Sequence, residues 1–363
     1  MHFGEPIDDE GLAALLRPGD GIDTVITADV YGAGEADSLL GAALVGLKRS
    51  TYSLVGAIGH DFLEGERDGP RGYPRFTDPR LRGPGDYADY LRHSTEASLE
   101  RTGADRFDLL LLHNPDRTGF TSEAVWDGMA SLRESGLTEA IGVAPGPANG
   151  FTLDLIDCFE RFGDRLDWAM VILNPLEPWP GELCLDAAAA HDVRLITRVV
   201  DYGGMFWGDV LEVHEFAEHD HRRFRPDGWV EAGLAKLERM LPIAHRTKLT
   251  PIQLACQWNL AHPAVACTVP TLIQEAGAGA RPVADKRAEL AALPEQRLGP
   301  AEVAEIRAIG DNTGSMALKG AHPDHDGEER PDRWQMSDNL AELADRHAID
   351  PNHLRRIEAP STA

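Results

Sequence analysis

The chain has 363 residues, of which 60 are acidic and 35 are Lys or Arg, giving a formal net charge of −25. A surface this acidic argues against nucleic acid or an anionic membrane as the main partner, so we expect the charge to serve solubility. The four cysteines form no paired motif, and the sequence has neither a signal-peptide pattern nor an apolar run of about 18 residues. We therefore expect reduced thiols, a cytoplasmic location and no membrane span.

Short β-rich runs alternate with amphipathic helical runs, as in parallel βα units. This pattern favours a single TIM-type (β/α)8 barrel over two domains. Seven strands are predicted, at 23–27, 52–58, 107–112, 140–144, 168–173, 193–199 and 264–269. Helices are predicted at 9–16, 35–47, 86–101, 121–134, 151–162, 183–190, 229–241, 251–260, 300–309 and 337–348.

The stretch RFDLLLLHNPD is the centre of this pattern. Its four leucines indicate a central strand that is buried on both faces. The apolar run stops at His113, Asn114, Pro115 and Asp116. Polar side chains therefore lie at the carboxyl end of the strand, where the active sites of α/β folds are found, and we expect Asp116 to be a cap.

Several segments resemble the aldo/keto reductase family, in family order from about Phe3 to Gly314: TADVYGAGEADSLLGAAL, RFDLLLLHNPD, SLRESGLTEAIGVA, PIQLACQWNL and LGPAEVAEIRAIGDNTG. The resemblance implies a TIM barrel over residues 1–314 that reduces carbonyls with a nicotinamide cofactor. Residues 315–363 are then a C-terminal helical extension. MHFGEPIDDE resembles the segment after the first strand of the family's barrel, so that strand is absent, and we expect an upstream segment, Ser315 to Ala321 or a partner chain to fill the gap.

The resemblance also assigns roles to individual residues. The family's proton-donating tyrosine falls on Tyr31 and its substrate-orienting histidine falls on His113. A phenol can give a proton to a carbonyl oxygen, and an imidazole can hold that oxygen by a hydrogen bond.

Other positions depart from the family pattern. The family's aspartate and lysine fall on Ile26 and Ala57, and its nicotinamide-binding serine, asparagine and glutamine fall on Ala144, Pro145 and Met170. The cofactor is therefore expected to be either none or NADP. For the adenosine 2′-phosphate, the nearby basic candidates are Arg281 and Lys286, with Arg287 beside them.

Further candidates for substrate binding close other strands. His60 and Asp61 come after the second predicted strand. Asn114 follows His113 at the carboxyl end of the central strand, and we call this end of the predicted barrel its mouth. Asn174, Arg198 and Tyr202 close later strands, where they could bind a polyol or anchor a carboxylate, although each is also a plausible structural cap. His214, His219 and His221 lie among acidic residues, which favours a solvated lid over a metal site.

Three functions are compatible with these residues. The first is acid/base chemistry, as in a lyase, hydratase or isomerase, on a polar carbonyl or sugar-derived molecule, with Tyr31 moving the proton and His113 holding the oxyanion. The alternative is an NAD(P)H-dependent oxidoreductase that reduces an aldehyde or ketone. The third is a non-catalytic relative that binds a ligand or a partner chain, and an oligomer is compatible with all three.

Overall fold

A computed structural model describes residues 3–69, 72–146, 151–211, 214–277, 279–314 and 336–357. Seven parallel strands form one curled sheet in chain order, which confirms the predicted barrel-type fold. The strands are β1 (Thr24–Ile26), β2 (Ser53–Ile58), β3 (Phe107–His113), β4 (Thr138–Ala144), β5 (Trp168–Ile172), β6 (Arg194–Arg198) and β7 (Val265–Val269).

The helices surround this sheet. They are α1 (Asp9–Leu16), α2 (Glu35–Leu44), α3 (Tyr87–Thr102), α4 (Arg117–Thr121), α5 (Glu123–Glu134), α6 (Phe151–Phe162), α7 (Leu185–Ala190), α8 (Trp229–Thr247), α9 (Pro251–Leu260), α10 (Val283–Ala291), α11 (Pro300–Gly310) and α12 (Asp338–Arg346).

Four helices differ from the prediction. α2 ends at Leu44, three residues before the predicted end. The helix predicted at 121–134 begins at Glu123, and a separate short helix, α4, precedes it, capped by Asp116, which accepts a hydrogen bond from the Gly119 amide at 2.8 Å. α8 continues through Pro242 to Thr247. α10 was not predicted, because charged residues alternate with small ones there and the apolar stripe is short.

The leucines of β3 show how the sheet divides the core. Leu109 and Leu111 face a small apolar cluster inside the barrel. Leu110 and Leu112 face the large cluster between sheet and helices. Because both faces are buried, the strand must be apolar throughout, and the predicted central position of this strand is confirmed.

The sheet has two unpaired edges among the described residues, because β1 pairs with β2 only and β7 pairs with β6 only. Side chains connect the two sides instead. Arg287 of α10 donates to the carbonyls of Leu15 and Arg17 at 3.2 and 2.7 Å. The segment suggested for this gap, 315–321, lies outside the described residues.

A buried cluster of ion pairs links the loop after β6, the loop after β7 and the start of the described chain. Arg222 contacts Asp220 at 2.6 Å and Glu275 at 2.5 Å, and it donates to the Gly203 carbonyl at 3.0 Å. Asp220 also accepts a hydrogen bond from the Gly4 amide at 2.8 Å. The loops after β6 and β7 and the start of the described chain are therefore joined by charge.

The C-terminal helix α12 packs on α6. Leu340 and Leu343 are buried. Arg346 and His347 both lie 2.7 Å from the Glu160 carboxylate on α6. The segment after α12 forms a short hairpin of β8 (Ile349–Asp350) and β9 (Arg355–Arg356), in which the Leu354 carbonyl accepts the indole N–H of Trp179 at 2.5 Å.

A carboxyl group lies buried behind β1. The side chain of Asp29 has no exposed surface, and its Oδ2 accepts a hydrogen bond from the Ser94 hydroxyl of α3 at 2.8 Å. Its Oδ1 has no partner among the described residues. Burial raises the pKa of Asp29 to about 8, with Asp37 adding to the rise and the Ser94 hydrogen bond opposing it.

This group makes stability depend on pH. The pKa of Asp29 is about 8 in the folded state against 3.8 for a free aspartate, so between these values the folded state binds more protons than the unfolded state. Its contribution to the free energy of unfolding therefore falls as pH rises, by about 1.4 kcal/mol per pH unit inside this window.

We predict that Asp29→Asn removes this contribution. The difference in unfolding free energy between variant and native chain, measured by urea denaturation from about pH 5 to about pH 7.5, should shift in favour of the variant as pH rises. The exposed Asp9→Asn variant is the control and should show a constant difference. A constant difference for Asp29→Asn would show that its carboxyl group is ionised in the fold.

Candidate active site

Tyr31 and His113 meet at the carboxyl end of the barrel. Tyr31 comes after β1 and begins a 3-10 turn, Tyr31–Gly34, whereas His113 is the last residue of β3. Their rings make an edge-to-face contact, with centroids 5.7 Å apart and planes at 88°. The Tyr31 side chain is 45% exposed while His113 is 8% exposed, so the pair sits at the boundary between the mouth and solvent.

A second histidine stands beside this pair. The rings of His60 and His113 have centroids 5.2 Å apart. Arg75 contacts Nδ1 of His60 at 2.8 Å and also donates to the Asn114 carbonyl. Because a guanidinium can only donate, Nδ1 of His60 is the acceptor and the ring proton lies on Nε2, which is 3.4 Å from the Asn114 amide group.

Both histidines are neutral at physiological pH. Burial lowers the pKa of His113 to about 3, and the charges of Arg75 and Arg198 lower it further. Burial, Arg75 and His113 together hold the pKa of His60 at about 2. The ring of His113 makes no hydrogen bond to the described residues, and its Nδ1 is buried without a partner among them. The neutral imidazole is thus free to donate one hydrogen bond to a ligand oxygen.

The pKa of Tyr31 keeps its phenol protonated. Burial raises this pKa above the ordinary value of 10.0, and the charge of Arg198 opposes that rise. The group is therefore protonated at neutral pH. This matches a general acid in the direction of carbonyl reduction.

Arg198 brings a positive charge into the mouth. It ends β6 on the same side of the strand as Ile196, which faces the barrel interior. Its guanidinium crosses to the end of β4 and donates to the Pro145 carbonyl at 2.8 Å. Its Nε is buried with no partner among the described residues.

The floor of the mouth is apolar. The residues at the family's polar positions belong to the interior cluster or pack against it: Ala57, Ala144, Met170 and, at its edge, Ile26. No side chain at these positions can donate a hydrogen bond, and only the Met170 thioether can accept one, weakly. The charges near Tyr31 therefore come from the arginines.

Two other candidates have structural partners. Asp61 forms an ion pair with Arg82 and accepts the Glu64 amide at 2.8 Å, which holds the start of the loop 60–85. Asn174 is fully buried, and its Oδ1 accepts the amides of Leu176 and Glu177 at 2.9 Å. These contacts fix turns at the rim and leave neither group available to a substrate.

Tyr202 is 5% exposed and has Arg225 over its ring at 4.6 Å. It lines a cavity of about 330 Å³ with Lys236 and Asn312, between the loop after β6 and α8. The structure does not join Tyr202 to the pair formed by Tyr31 and His113.

The basic residues suggested for a 2′-phosphate form ion pairs and hydrogen bonds within the chain. Lys286 has no exposed surface, lies 2.6 Å from Asp209 and donates to the Ile273 carbonyl at 2.6 Å. Arg281 binds Glu289 at 2.5 Å and the Trp207 carbonyl at 2.9 Å. Arg287 is bound to the carbonyls described above. A phosphate at this place would have to displace these partners.

The histidines after β6 do not converge. His214 lies 3.2 Å from Glu275, and Nε2 of His219 lies 3.1 Å from the Gly4 carbonyl. Within the described ranges, no group of three His, Cys, Asp or Glu side chains has the spacing of a metal site.

One residue of the site, Arg75, and one buried acid behind it, Asp29, were not singled out from the sequence. Arg75 lies in the long loop 60–85, whose length was its only signal. Asp29 lies two positions before Tyr31, and its burial depends on α3, which no local pattern reveals. Long-range contacts decide both positions.

Comparison with known proteins identifies the family. The model of the aldo/keto reductase family matches residues 4–281. A D-threo-aldose 1-dehydrogenase from Pseudomonas sp is 30% identical over 170 residues, which are 43% of this chain and 52% of that protein. The chain spans about half the length of the curated relatives that it matches first.

Solved structures share the fold. The glycerol dehydrogenase of Gluconobacter oxydans superposes with a TM-score of 0.65 at 20% identity, over 85% of this chain and 86% of that one. An aldo/keto reductase from Klebsiella pneumoniae, in complex with NADP and acetate, superposes with a TM-score of 0.58 at 18% identity, over 85% and 89%.

Among the described residues, none of the helices has the length and apolar character needed to cross a membrane. The family match extends from the residues before α1 to the loop after β7 and so includes all seven strands. The chain therefore belongs to the aldo/keto reductase family.

Proposed function

We propose that the protein is an NAD(H)-dependent oxidoreductase that interconverts the carbonyl and alcohol forms of a small, sugar-like molecule. The observation that carries this proposal is the contact between Tyr31 and neutral His113 at the mouth of the barrel. Membership of the family and the sugar dehydrogenase among the relatives support the reaction class.

Each residue of the pair has one task. The Tyr31 hydroxyl gives its proton to the carbonyl oxygen as charge develops there, and it takes the proton back in the reverse direction. His113 donates a hydrogen bond to the same oxygen, and since its ring is neutral it holds the substrate without taking its proton. The bound cofactor supplies or accepts the hydride.

The residues of the barrel mouth and of segment 281–287 fit a nicotinamide ring better than they fit the 2′-phosphate of NADP. The apolar floor at Ala144 and Met170 offers a surface on which a planar ring can pack. The 2′-phosphate of NADP has no free cation at 281–287, since Arg281, Lys286 and Arg287 are all bound internally. NAD(H) is therefore the form of the cofactor that we propose.

Replacing Tyr31 by Phe should lower kcat by about 10² to 10⁴ with little change in folding, because only the proton donor is removed. Turnover is followed by nucleotide absorbance with a panel of aldoses and their alcohols. Tyr52→Phe is the matched control, because Tyr52 precedes β2 at the opposite end of the barrel. Equal activity of Tyr31→Phe and native protein would remove Tyr31 from the mechanism.

Titration with NADH and NADPH should show NADH binding about tenfold more tightly or better, a difference of about 1.4 kcal/mol. Glu289→Gln breaks the ion pair with Arg281 and so frees a cation for the 2′-phosphate of NADPH, which should reduce the difference between the NADH and NADPH affinities. Glu295 is exposed, and Glu295→Gln should leave this difference unchanged. Tighter binding of NADPH by the native chain would contradict the assignment.

A second candidate is acid/base chemistry without a nucleotide, as in a lyase, hydratase or isomerase. One observation favours it: Ala144, Pro145 and Met170 offer no polar side chain to a nicotinamide amide. The same titration separates the two candidates, because binding of neither nucleotide, together with Tyr31-dependent turnover of a carbonyl compound, would select the second.

A further inference from the structure

We infer that the substrate carries a carboxylate and that Arg198 binds it inside the mouth of the barrel. This inference rests on the proposed function and specifies its substrate class as acidic sugars and hydroxy acids. It uses one feature that the reaction itself leaves unexplained, namely a half-buried arginine near Tyr31 and His113 whose Nε is buried without a partner among the described residues.

The position of Arg198 is set by the sheet. Since side chains alternate along a strand, Arg198 shares the inward direction of Ile196, while Thr197 turns outward and reaches toward the Cys267 carbonyl. One N–H of the guanidinium is fixed by the Pro145 carbonyl at 2.8 Å. The head of the side chain is thus held over the mouth, with its Nε pointing to no described partner.

No acidic residue of the described chain neutralises this charge. Asp29 faces Ser94 behind β1, and Asp61 is paired with Arg82. Asp116 accepts from Thr77 and Gly119, and Glu177 is paired with Arg225. Asp201, three residues after Arg198, accepts the amides of Gly204 and Thr271. None of these five carboxylates forms an ion pair with Arg198 in the described chain, and each has other partners.

An unpaired charge in such a place is costly, and a ligand anion would offset that cost. Burial lowers the pKa of the Arg198 guanidinium, as expected for a cation without a counter-ion. The two histidines are neutral and the nearby Arg75 adds positive charge, so the mouth is positive in a chain whose formal net charge is −25. A carboxylate suits the planar fork of an arginine, and it would leave the substrate's carbonyl or hydroxyl for Tyr31 and His113.

The test measures binding by calorimetry to the full chain, without nucleotide, so that phosphates of a cofactor cannot be the anion. The ligands are three matched pairs: glucuronate and glucose, gluconate and sorbitol, lactate and propane-1,2-diol. At least one acid should bind about tenfold more tightly than its neutral partner. Equal affinity within every pair, or no binding of any acid, would overturn the inference.

Variants locate the site. Arg198→Gln should abolish the preference for the acid, and Arg198→Lys should restore part of it, because lysine keeps the charge without the fork. Arg194→Gln is the control, since Arg194 lies at the other end of β6 and stacks over Trp168 at 4.2 Å. Thermal unfolding checks that each variant folds. A loss of affinity that is equal for acids and neutral ligands would assign Arg198 a structural role only.

Turnover separates this inference from the proposed function. Binding of an acid through Arg198 without its conversion with NAD(H) would support the anion site and contradict the proposed oxidoreductase function. Conversion of neutral sugars with no preference for acids, unchanged in Arg198→Gln, would keep the oxidoreductase and reject the anion site. Conversion of acids with a kcat/KM that falls selectively in Arg198→Gln would support both.

Discussion

The burial of β3 on both faces is the constraint on which the rest of the structure depends. Leu109 and Leu111 fill the barrel, and Leu110 and Leu112 anchor the outer helices. A shift of the strand by one residue would carry Asp108 or His113 into an apolar layer and would break the contacts of Asp108 with the Leu54 amide and Arg49. Its register with β2 and β4 is therefore fixed. As a result, His113 is carried to one defined height at the mouth, level with the end of β4.

The mouth holds a phenol and an imidazole at the positions that the family resemblance assigns to catalysis, but different residues surround them. Apolar residues at positions 26 and 57 replace the charged pair, and the positive charge now comes from Arg75 in a loop and Arg198 on a distant strand. A cation on the opposite side of the mouth acts on the phenol from the substrate's side. In the proposed reaction, the charge of Arg198 that acts on the phenol is therefore also available to the ligand.

The sequence predicted the parts of this protein that depend on local pattern. The Leu-rich run, the βα alternation and the polar residues after each strand identified the fold, the order of its elements and the meeting of Tyr31 with His113. Family resemblance supplied their roles. It did not reveal that Lys286 pairs with Asp209, or that Arg75 reaches Asn114, because these partners lie far apart in the chain and no periodicity connects them.

The ion cluster around Arg222 joins loops of the described chain by side-chain charge, without a strand ladder. Where backbone pairing is absent among the described strands, the neighbouring loops are joined by Asp220, Glu275 and the Gly4 amide. Backbone ladders tolerate most side chains, whereas a buried arginine with two carboxylates does not tolerate the loss of a member. Substitutions at Arg222, Asp220 or Glu275 should therefore be poorly tolerated. Substitutions, insertions and deletions elsewhere in these loops should be tolerated as long as the ion cluster is kept.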